Sequence, residues 1–318
     1  MKTTLIWLGR LVILVIGLGL IGAIYEALAE AADAKAYPPP GQLVDVGGHR
    51  LHINCIGTGS PTVIIEAGLG DWSTSWGGTV QPEVSKTTRV CTYDRAGMGW
   101  SDPGPLPRDA AHFAQELHTL LQNANIPGPY IMVGHSLGGT AVRVFVHDYA
   151  SEVAGVVLIE SMNPKQSTQS PEVLSQSESR SRPFSFQAAL ARFGVARLLV
   201  KVPAIAPSMP AGQEAYYPLY IRSQSFQTKD NEGQGMPASL AQAAAVKTFG
   251  DLPLIVLTGK QNNIPGWLEW QTELLQLSSN SQHLFAENSG HNIQVDEPQA
   301  AIEAILQMIQ QVRETGTK

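Results

Sequence analysis

The chain has 318 residues and a hydrophobic fraction of 43%, enough apolar material for one large core with inserted helices. The formal net charge of −6 and the lack of any basic run with interleaved aromatic residues argue against a nucleic-acid partner. Because no Cys-x-x-Cys, His-Glu-x-x-His or clustered acidic loop occurs, the sequence predicts neither a metal nor another cofactor.

An apolar segment opens the chain. From Leu5 to Tyr25 only Arg10 is charged, and about 20 apolar residues in a row can span a bilayer. Lys2 and Arg10 favour a cytoplasmic N-terminus, so the rest of the chain would lie on the other side of the membrane. We therefore predict an uncleaved membrane anchor over residues 1–36, followed by an extracytoplasmic domain.

Two other interpretations of this segment stay open. Ala27-Leu28-Ala29 is typical of a small-residue cleavage site, so the segment could be the signal peptide of a secreted protein. A buried N-terminal helix is the third interpretation. Downstream, Pro38-Pro39-Pro40-Gly41 predicts a stiff spacer, because proline restricts φ and cannot extend a helix.

The stretch from Gly134 to Gly139 carries the strongest chemical motif. Its sequence, Gly-His-Ser-Leu-Gly-Gly, matches the G-x-S-x-G pattern between an apolar strand at Tyr130–Val133 and a helical pattern from Thr140. Glycines on both sides permit a tight, strained turn, so the Ser136 hydroxyl would project above the sheet edge beside a helix N-terminus. A glycine-rich turn with a chance serine is the alternative, which this context disfavours.

The segment from Met162 to Gly250 interrupts the alternation of strands and helices. It begins with a Ser/Gln-rich stretch, Gln166–Ser185, and continues with apolar residues at helical spacing in Phe186–Phe193 and Ala238–Ala245. We predict a helical insertion here. Its aromatic residues could line an acyl pocket or pack the insertion on the core: Phe193, Tyr216, Tyr217 and Tyr220.

A nucleophilic serine needs a base that takes its proton and an acid that orients the base. Among the eight histidines, His291 lies in the Gly-containing loop Asn288–Asn292, just after the strand-like run His283–Ala286. A histidine in such a loop can reach a serine above the sheet, so we predict His291 as the general base. A capping or surface histidine is the alternative.

Together, these motifs resemble the α/β-hydrolase family over residues 41–312. Besides the Ser136 turn and Ser289-Gly290-His291, the segment Tyr93–Asp102 is similar to the family's Y-D-x-x-G-x-G-x-S stretch after its fourth strand. The resemblance implies an α/β fold with a mostly parallel central sheet flanked by helices. The implied divisions are an anchor at residues 1–36, a hydrolase core at residues 37–161 and 251–318, and a helical cap at residues 162–250, inserted after the sixth strand.

The segment Thr62–Gly70 is similar to the strand and glycine loop in which this family often has His-Gly-x. Ala67 replaces that histidine, a tolerated departure because the loop acts through backbone N–H groups. The match implies an oxyanion hole formed by the backbone N–H groups of Leu69 and Leu137. A simple turn residue is the alternative for Leu69.

The acid departs from the commonest family pattern, which is G-x-x-D after the seventh strand. This chain has amides there, Asn262 and Asn263, whereas Glu160 follows the strand-like run Val153–Ile159, 24 positions after the serine. Some branches of the family place the acid after this sixth strand, so we expect Glu160 to orient His291. The alternatives are an amide as a weaker orienter, another acid, or a capping role for Glu160.

The two cysteines, Cys55 and Cys91, lie in segments that resemble the family's second and fourth strands. Those strands are neighbours in the family's sheet, so the resemblance implies a disulfide, which an oxidising compartment would permit. Two buried free cysteines are the alternative.

These residues and the resemblance predict a serine hydrolase, with a carboxylesterase acting on small or medium acyl esters through an acyl-enzyme on Ser136 as the first expectation. Amide or peptide cleavage, acyl transfer with the same residues, and non-catalytic ligand binding on this fold are the alternatives. A serine nucleophile argues against the dehalogenase and epoxide-hydrolase branches, which use aspartate there. The expected partners are a small acyl substrate and the membrane.

Overall fold

One central sheet organises the computed structural model, which describes residues 2–166, 186–199 and 213–316. Its strands in these ranges are β1 (Gln42–Asp45), β2 (Arg50–Ile56), β3 (Thr62–Glu66), β4 (Val90–Tyr93), β5 (Tyr130–His135), β6 (Val153–Ile159), β7 (Leu254–Gly259) and β8 (Ser281–Ala286). Their order across the sheet is β1-β2-β4-β3-β5-β6-β7-β8. Only β2 runs antiparallel to its neighbours, which confirms the predicted mostly parallel sheet.

Helices cover both faces of this sheet. In the described part of the chain they are α1 (Lys2–Ala36), α2 (Thr74–Gly77), α3 (Val80–Val84), α4 (Ala110–Asn123), α5 (Leu137–Asp148), α6 (Val195–Leu199), α7 (Tyr217–Tyr220), α8 (Ser223–Ala245), α9 (Trp267–Leu274), α10 (Ile293–Asp296) and α11 (Pro298–Gly316), with residues 186–191 also helical. Crossover helices that cover both faces are the arrangement that parallel strands require.

The two cores follow from the alternation of side chains along each strand. In β5, Tyr130 and Met132 point into the core beneath α4 and α5, whereas Ile131 and Val133 point into the core beneath α3 and α11. Central strands buried on both faces are expected to be almost wholly apolar, which explains the continuous Val/Ile/Leu runs. Ser136 and Glu160 directly follow β5 and β6, and the loop of His291 follows β8, so all three lie at the carboxyl edge of the sheet.

The helices between β6 and β7 pack in two ways. Met236 and Leu240, in the second half of α8, join the core beneath α4 and α5. Tyr217 and Tyr220 of α7 pack instead around Trp72, above the carboxyl edge of the sheet. The predicted helical patch Ala238–Ala245 is thus present, although it packs on the core. Residues 167–185 of the Ser/Gln-rich stretch lie outside the described residues. The cap boundaries stay a prediction.

Helix α1 is long and apolar enough to cross a membrane. The most apolar 18-residue window within Thr3–Ala36 has a mean hydropathy of 2.4, and only 6% of that window is buried. In the central sheet, Cys55 and Cys91 face each other in the antiparallel pair β2–β4 and form a disulfide. The implied cysteine pairing is therefore confirmed.

Candidate active site

Ser136 lies at the sharp turn between β5 and α5 and is 9% exposed. Its backbone has φ +52° and ψ −121°, a strained conformation for a residue with a Cβ. The flanking glycines are required by close packing. A Cβ on Gly138 would come within 2.5 Å of the Glu66 carbonyl oxygen, and one on Gly139 within 1.9 Å of Ser161 Oγ. The sequence thus forms the predicted strained elbow.

His291 lies beside this hydroxyl. Its Nε2 is 2.9 Å from Ser136 Oγ, although the two residues are 155 positions apart in the chain. On the other side of the ring, Nδ1 is 3.2 Å from Glu160 Oε2. A carboxylate can only accept a hydrogen bond, so Nδ1 carries the proton and Nε2 is free to accept from the serine hydroxyl. The three predicted residues meet in one hydrogen-bonded chain.

Glu160 is completely buried at the carboxyl end of β6, with φ +47°. Its Oε1 accepts a hydrogen bond from the Gly259 N–H at 2.8 Å, and its Oε2 accepts one from Asn262 Nδ2 at 2.7 Å. Asn262, considered above as an orienter of His291, therefore holds the glutamate. These donors fix the direction of the Glu160 side chain toward the imidazole.

The loop after β3 lies against the serine. A Cβ on Gly68 would lie 3.3 Å from Ser136 Cβ and 2.9 Å from His135 Nδ1, so only glycine fits at this position. In the described parts of the chain, neither the Leu69 N–H nor the Leu137 N–H donates a hydrogen bond to a protein acceptor. Leu137 also opens helix α5, whose N-terminal dipole favours negative charge.

His135, the residue before the serine, holds the loop of His291. Its Nε2–H donates to the His291 carbonyl oxygen at 2.8 Å, and the two rings lie 4.9 Å apart. Burial, together with the nearby His291, lowers the pKa of His135 to about 3. His135 is therefore neutral at physiological pH and positions the His291 backbone without adding a charge beside it.

A buried ion cluster behind the site was not predicted from the sequence. Arg95 pairs with Glu66 at 2.6 Å and with Glu232 at 2.7 Å, and all three side chains are at most 2% exposed. The Tyr93 hydroxyl also donates to Glu66. Burial raises the pKa of the Glu66 carboxyl, so the arginine charge is needed to keep the cluster stable.

This cluster holds the loop that faces Ser136. Arg95 Nη1 donates to the Ala67 carbonyl oxygen at 2.7 Å, and Nη2 donates to the Gly68 carbonyl oxygen. Glu232, from α8, accepts a hydrogen bond from the Gly70 N–H at 2.8 Å. In a trans peptide the N–H points opposite to the C=O, so holding these two carbonyls on Arg95 turns the N–H groups of Gly68 and Leu69 away from it. The sequence signal for this cluster was Glu66, a charged residue at the end of the mostly apolar strand β3.

We expect that replacing Arg95 by methionine destabilises the protein by about 3–5 kcal/mol, because two buried carboxylates lose the guanidinium that pairs with both of them. Urea unfolding in detergent measures this change. Arg50→Met is the matched control: Arg50 pairs with Asp102 on the surface, with side chains 53% and 35% exposed, so little change in the free energy of unfolding is expected. Equal effects of the two substitutions would contradict the structural role of the buried cluster.

The insertion between β6 and β7 is also tied to this loop. Tyr220 of α7 donates to Asp71 Oδ1 at 3.0 Å, and its ring packs on Trp72 at 5.0 Å. Burial raises the pKa of Asp71 to about 6. Tyr216 packs on Trp100, with ring centroids 5.2 Å apart. These tyrosines therefore pack the insertion on the core, the second of the two roles considered above.

Comparison with known proteins agrees with this architecture. The Bacillus subtilis protein YqjL is 26% identical over 249 residues, which are 76% of this chain and 81% of YqjL. "Probable transporter efuK" from Hormonema carpetanum is 39% identical over 126 residues, 37% of this chain, but the chain spans only 18% of that protein's length. The solved structure of a Thermogutta terrifontis esterase has a TM-score of 0.65 at 20% identity and covers 85% of this chain and 98% of its own.

A family model also matches most of the chain. The family model described as the alpha/beta hydrolase fold matches residues 61–298, three quarters of the chain, from β3 through the His291 loop. The esterase likeness, at its low identity, supports the fold alone. Because the matched segment contains the strands β3–β8 and the motifs of Ser136, Glu160 and His291, the chain belongs to the alpha/beta hydrolase fold family.

Proposed function

We propose that this protein is a membrane-anchored serine hydrolase that cleaves carboxylic esters. The observation that carries the proposal is the hydrogen-bonded chain from Ser136 Oγ through the His291 ring to Glu160, at 2.9 and 3.2 Å. A hydroxyl, an imidazole and a buried carboxylate in this order are the groups that nucleophilic acyl transfer requires.

The proposed first step is attack of Ser136 Oγ on the ester carbonyl carbon while His291 Nε2 removes the hydroxyl proton. The carbonyl oxygen becomes an oxyanion, which the N–H groups of Leu69 and Leu137 would stabilise. His291 then gives its proton to the alkoxide leaving group, and the C–O bond of the ester breaks. Glu160 balances the positive charge that the imidazole carries between these transfers. The products are an alcohol and an acyl-enzyme on Ser136.

Hydrolysis of the acyl-enzyme would use the same groups in reverse. His291 Nε2 removes a proton from a water molecule as its oxygen attacks the acyl carbon, and the same N–H groups hold the second oxyanion. The proton then returns to Ser136 Oγ as the acid product leaves. The neutral His135 keeps the His291 backbone in place through both half-reactions.

The contacts of α1 support an uncleaved anchor. The helix runs without a break through Ala27–Ala29, the segment considered above as a cleavage site. Glu26, just before that segment, is 4% exposed and pairs with Arg197 of α6 at 2.7 Å. Cleavage after Ala29 would remove a buried partner from a buried arginine, which is costly.

We expect a fluorophosphonate probe to label the purified full chain at Ser136, located by mass spectrometry of the labelled peptide, because the probe reacts with an activated serine. The labelled position distinguishes this proposal from a non-catalytic role. Parallel assays with p-nitrophenyl esters of increasing chain length and with the corresponding p-nitroanilides separate ester from amide cleavage. Absence of labelling in folded protein, or hydrolysis of anilides alone, would refute the ester-hydrolase proposal.

A further inference from the structure

Helix α1 carries an acidic stripe just after its apolar run. Glu26, Glu30 and Asp33 follow one another at intervals of four and three residues and therefore share one face of the helix. Arg197 of α6 pairs with Glu26 at 2.7 Å and with Asp33 at 2.6 Å, with only 11% of its own side chain exposed. These ion pairs lock α6 onto the helix at the point where the apolar run ends.

The insertion also touches α1 within the apolar run. A Cβ on Gly22 would come within 2.4 Å of the Phe193 carbonyl oxygen, and one on Gly19 would lie 3.7 Å from the Phe193 ring. Glycines at these positions allow the backbone of the insertion to approach the helix closely. Phe193 is thus fixed beside residues that are themselves part of the proposed membrane span.

The rise per residue of an α-helix gives the distance of these contacts from the end of the apolar run, and therefore their depth in the membrane that α1 is proposed to span. Gly22 and Gly19 precede Tyr25, the last residue of the apolar run, by three and six positions, which is about 5 and about 9 Å along the helix axis. Interfacial segments bury their apolar faces about 5–10 Å into the boundary between headgroups and acyl chains. Tyr25 itself is the type of residue that marks this boundary. Phe193 therefore lies at the depth of the lipid interface.

Large apolar side chains are exposed on this part of the insertion. Phe186 is 65% exposed, Phe193 46% and Leu198 75%. Exposed apolar side chains beside a membrane-spanning helix fit the apolar boundary of the bilayer that the helix crosses. We call these three residues the cap face.

The cap face is linked to the candidate active site by α7 and α8. Arg192, beside Phe193, donates to Ser223 Oγ at the start of α8, and Glu232 in the same helix accepts from the Gly70 N–H. Tyr37, just after α1, accepts through its carbonyl oxygen a hydrogen bond from the Trp100 indole N–H at 2.8 Å. The loop facing Ser136 is thus connected to the membrane helix through packed, hydrogen-bonded elements.

We propose that the cap face rests in the lipid interface and that the site takes its acyl ester from the bilayer rather than from water. This inference rests on the proposed anchor and ester hydrolysis and specifies their substrate class: esters dissolved in the membrane, with acyl chains longer than the small or medium ones expected from the sequence. The occupant of the cap face is the bilayer that α1 spans.

The test uses the full chain reconstituted in phosphatidylcholine vesicles with two substrates, p-nitrophenyl acetate in water and p-nitrophenyl palmitate in the bilayer. The double variant Phe186→Glu/Leu198→Glu is expected to lower palmitate hydrolysis by about tenfold or more, because carboxylates are disfavoured in the apolar interface. Acetate hydrolysis is expected to stay unchanged. Phe285→Glu is the matched control, since Phe285 is 40% exposed on the edge strand β8 and should affect neither rate.

A direct measurement accompanies the kinetics. An environment-sensitive dye attached to Leu198→Cys is expected to report an apolar surrounding in vesicles, whereas the same dye on Phe285→Cys should report water. A water signal at position 198, or wild-type palmitate hydrolysis by the double variant, overturns the inference and leaves the proposed function intact. If the double variant loses both rates, the dye decides: an apolar signal at position 198 supports the inference, and a water signal overturns it. Failure of the wild-type protein to cleave either ester overturns the proposed function and this inference with it.

Discussion

Replacing Ser136 by alanine is expected to lower kcat/KM for a p-nitrophenyl ester by about 10⁶-fold while leaving the protein folded. The hydroxyl is the proposed nucleophile, and its removal leaves only the binding groups and the oxyanion hole to accelerate the reaction. The fold should persist, because alanine keeps the Cβ that already occupies the strained turn at φ +52°. Steady-state kinetics would measure the loss of activity, and a near-ultraviolet circular dichroism spectrum equal to that of the wild type would show that the variant is folded.

Ser75→Ala is the control for this prediction. Ser75 is also buried, but its hydroxyl donates to a carboxylate, Asp71 Oδ2 at 2.7 Å, rather than to an imidazole. Its removal should cost far less activity than removal of Ser136, because Ser75 has no imidazole partner among the described residues. A Ser75 variant that loses as much activity as Ser136→Ala, or a fully active Ser136→Ala protein, would reassign the nucleophile.

The Glu160→Gln substitution is expected to lower kcat by about 10³–10⁴-fold with little change in KM. Glutamine nearly preserves the shape of the side chain but removes the charge that balances the imidazolium, and its amide can present a donor to His291 Nδ1 where an acceptor is needed. The buried position of Glu160, with two further donors on its oxygens, means that water cannot replace the lost carboxylate. Steady-state kinetics across a series of esters would measure the effect.

Asn262→Ala is the matched control, since Asn262 lies after β7 where the family commonly has its acid. It contacts the glutamate at 2.7 Å rather than the imidazole, so its removal takes one hydrogen bond from Glu160 and leaves the charge in place. We expect a loss of about 10- to 100-fold, the size of one hydrogen bond to a charged group and well below the loss expected for Glu160→Gln. If Asn262→Ala were instead the crippling change and Glu160→Gln were mild, the amide would be the orienter.

The elbow shows which features local sequence can predict. Glycines on both sides of Ser136, an apolar strand before it and a helical pattern after it are short-range signals, and close contacts in the structure require the same glycines. The apolar strands themselves follow in the same way from local periodicity, whereas the resemblance to the α/β-hydrolase family implied which of them are neighbours in the sheet. The apolar N-terminal run likewise needed only composition to be recognised as a possible membrane span.

Contacts between distant residues could not be predicted in this way. Glu232 pairs with Arg95 across 137 positions. It lies in helix α8, whose polar and apolar residues are not separated into two faces, so the sequence does not indicate which of its residues are buried. The pairing of α6 with α1 is of the same kind, since Arg197 and Glu26 are 171 positions apart. Charged residues in a sequence are usually solvated, so only packing identifies the few that are buried and paired.

The sequence by itself therefore determined the fold family, the proposed serine and histidine, and the apolar segment, because glycine requirements and apolar periodicity are local. Only the tertiary structure shows that Glu160 contacts His291 and that Asn262 contacts Glu160, because both residues follow strands that end at the same edge of the sheet. It also decided where the insertion meets α1. Ion pairs and close backbone contacts are properties of chain segments brought together by folding, and no pattern within either segment specifies its partner.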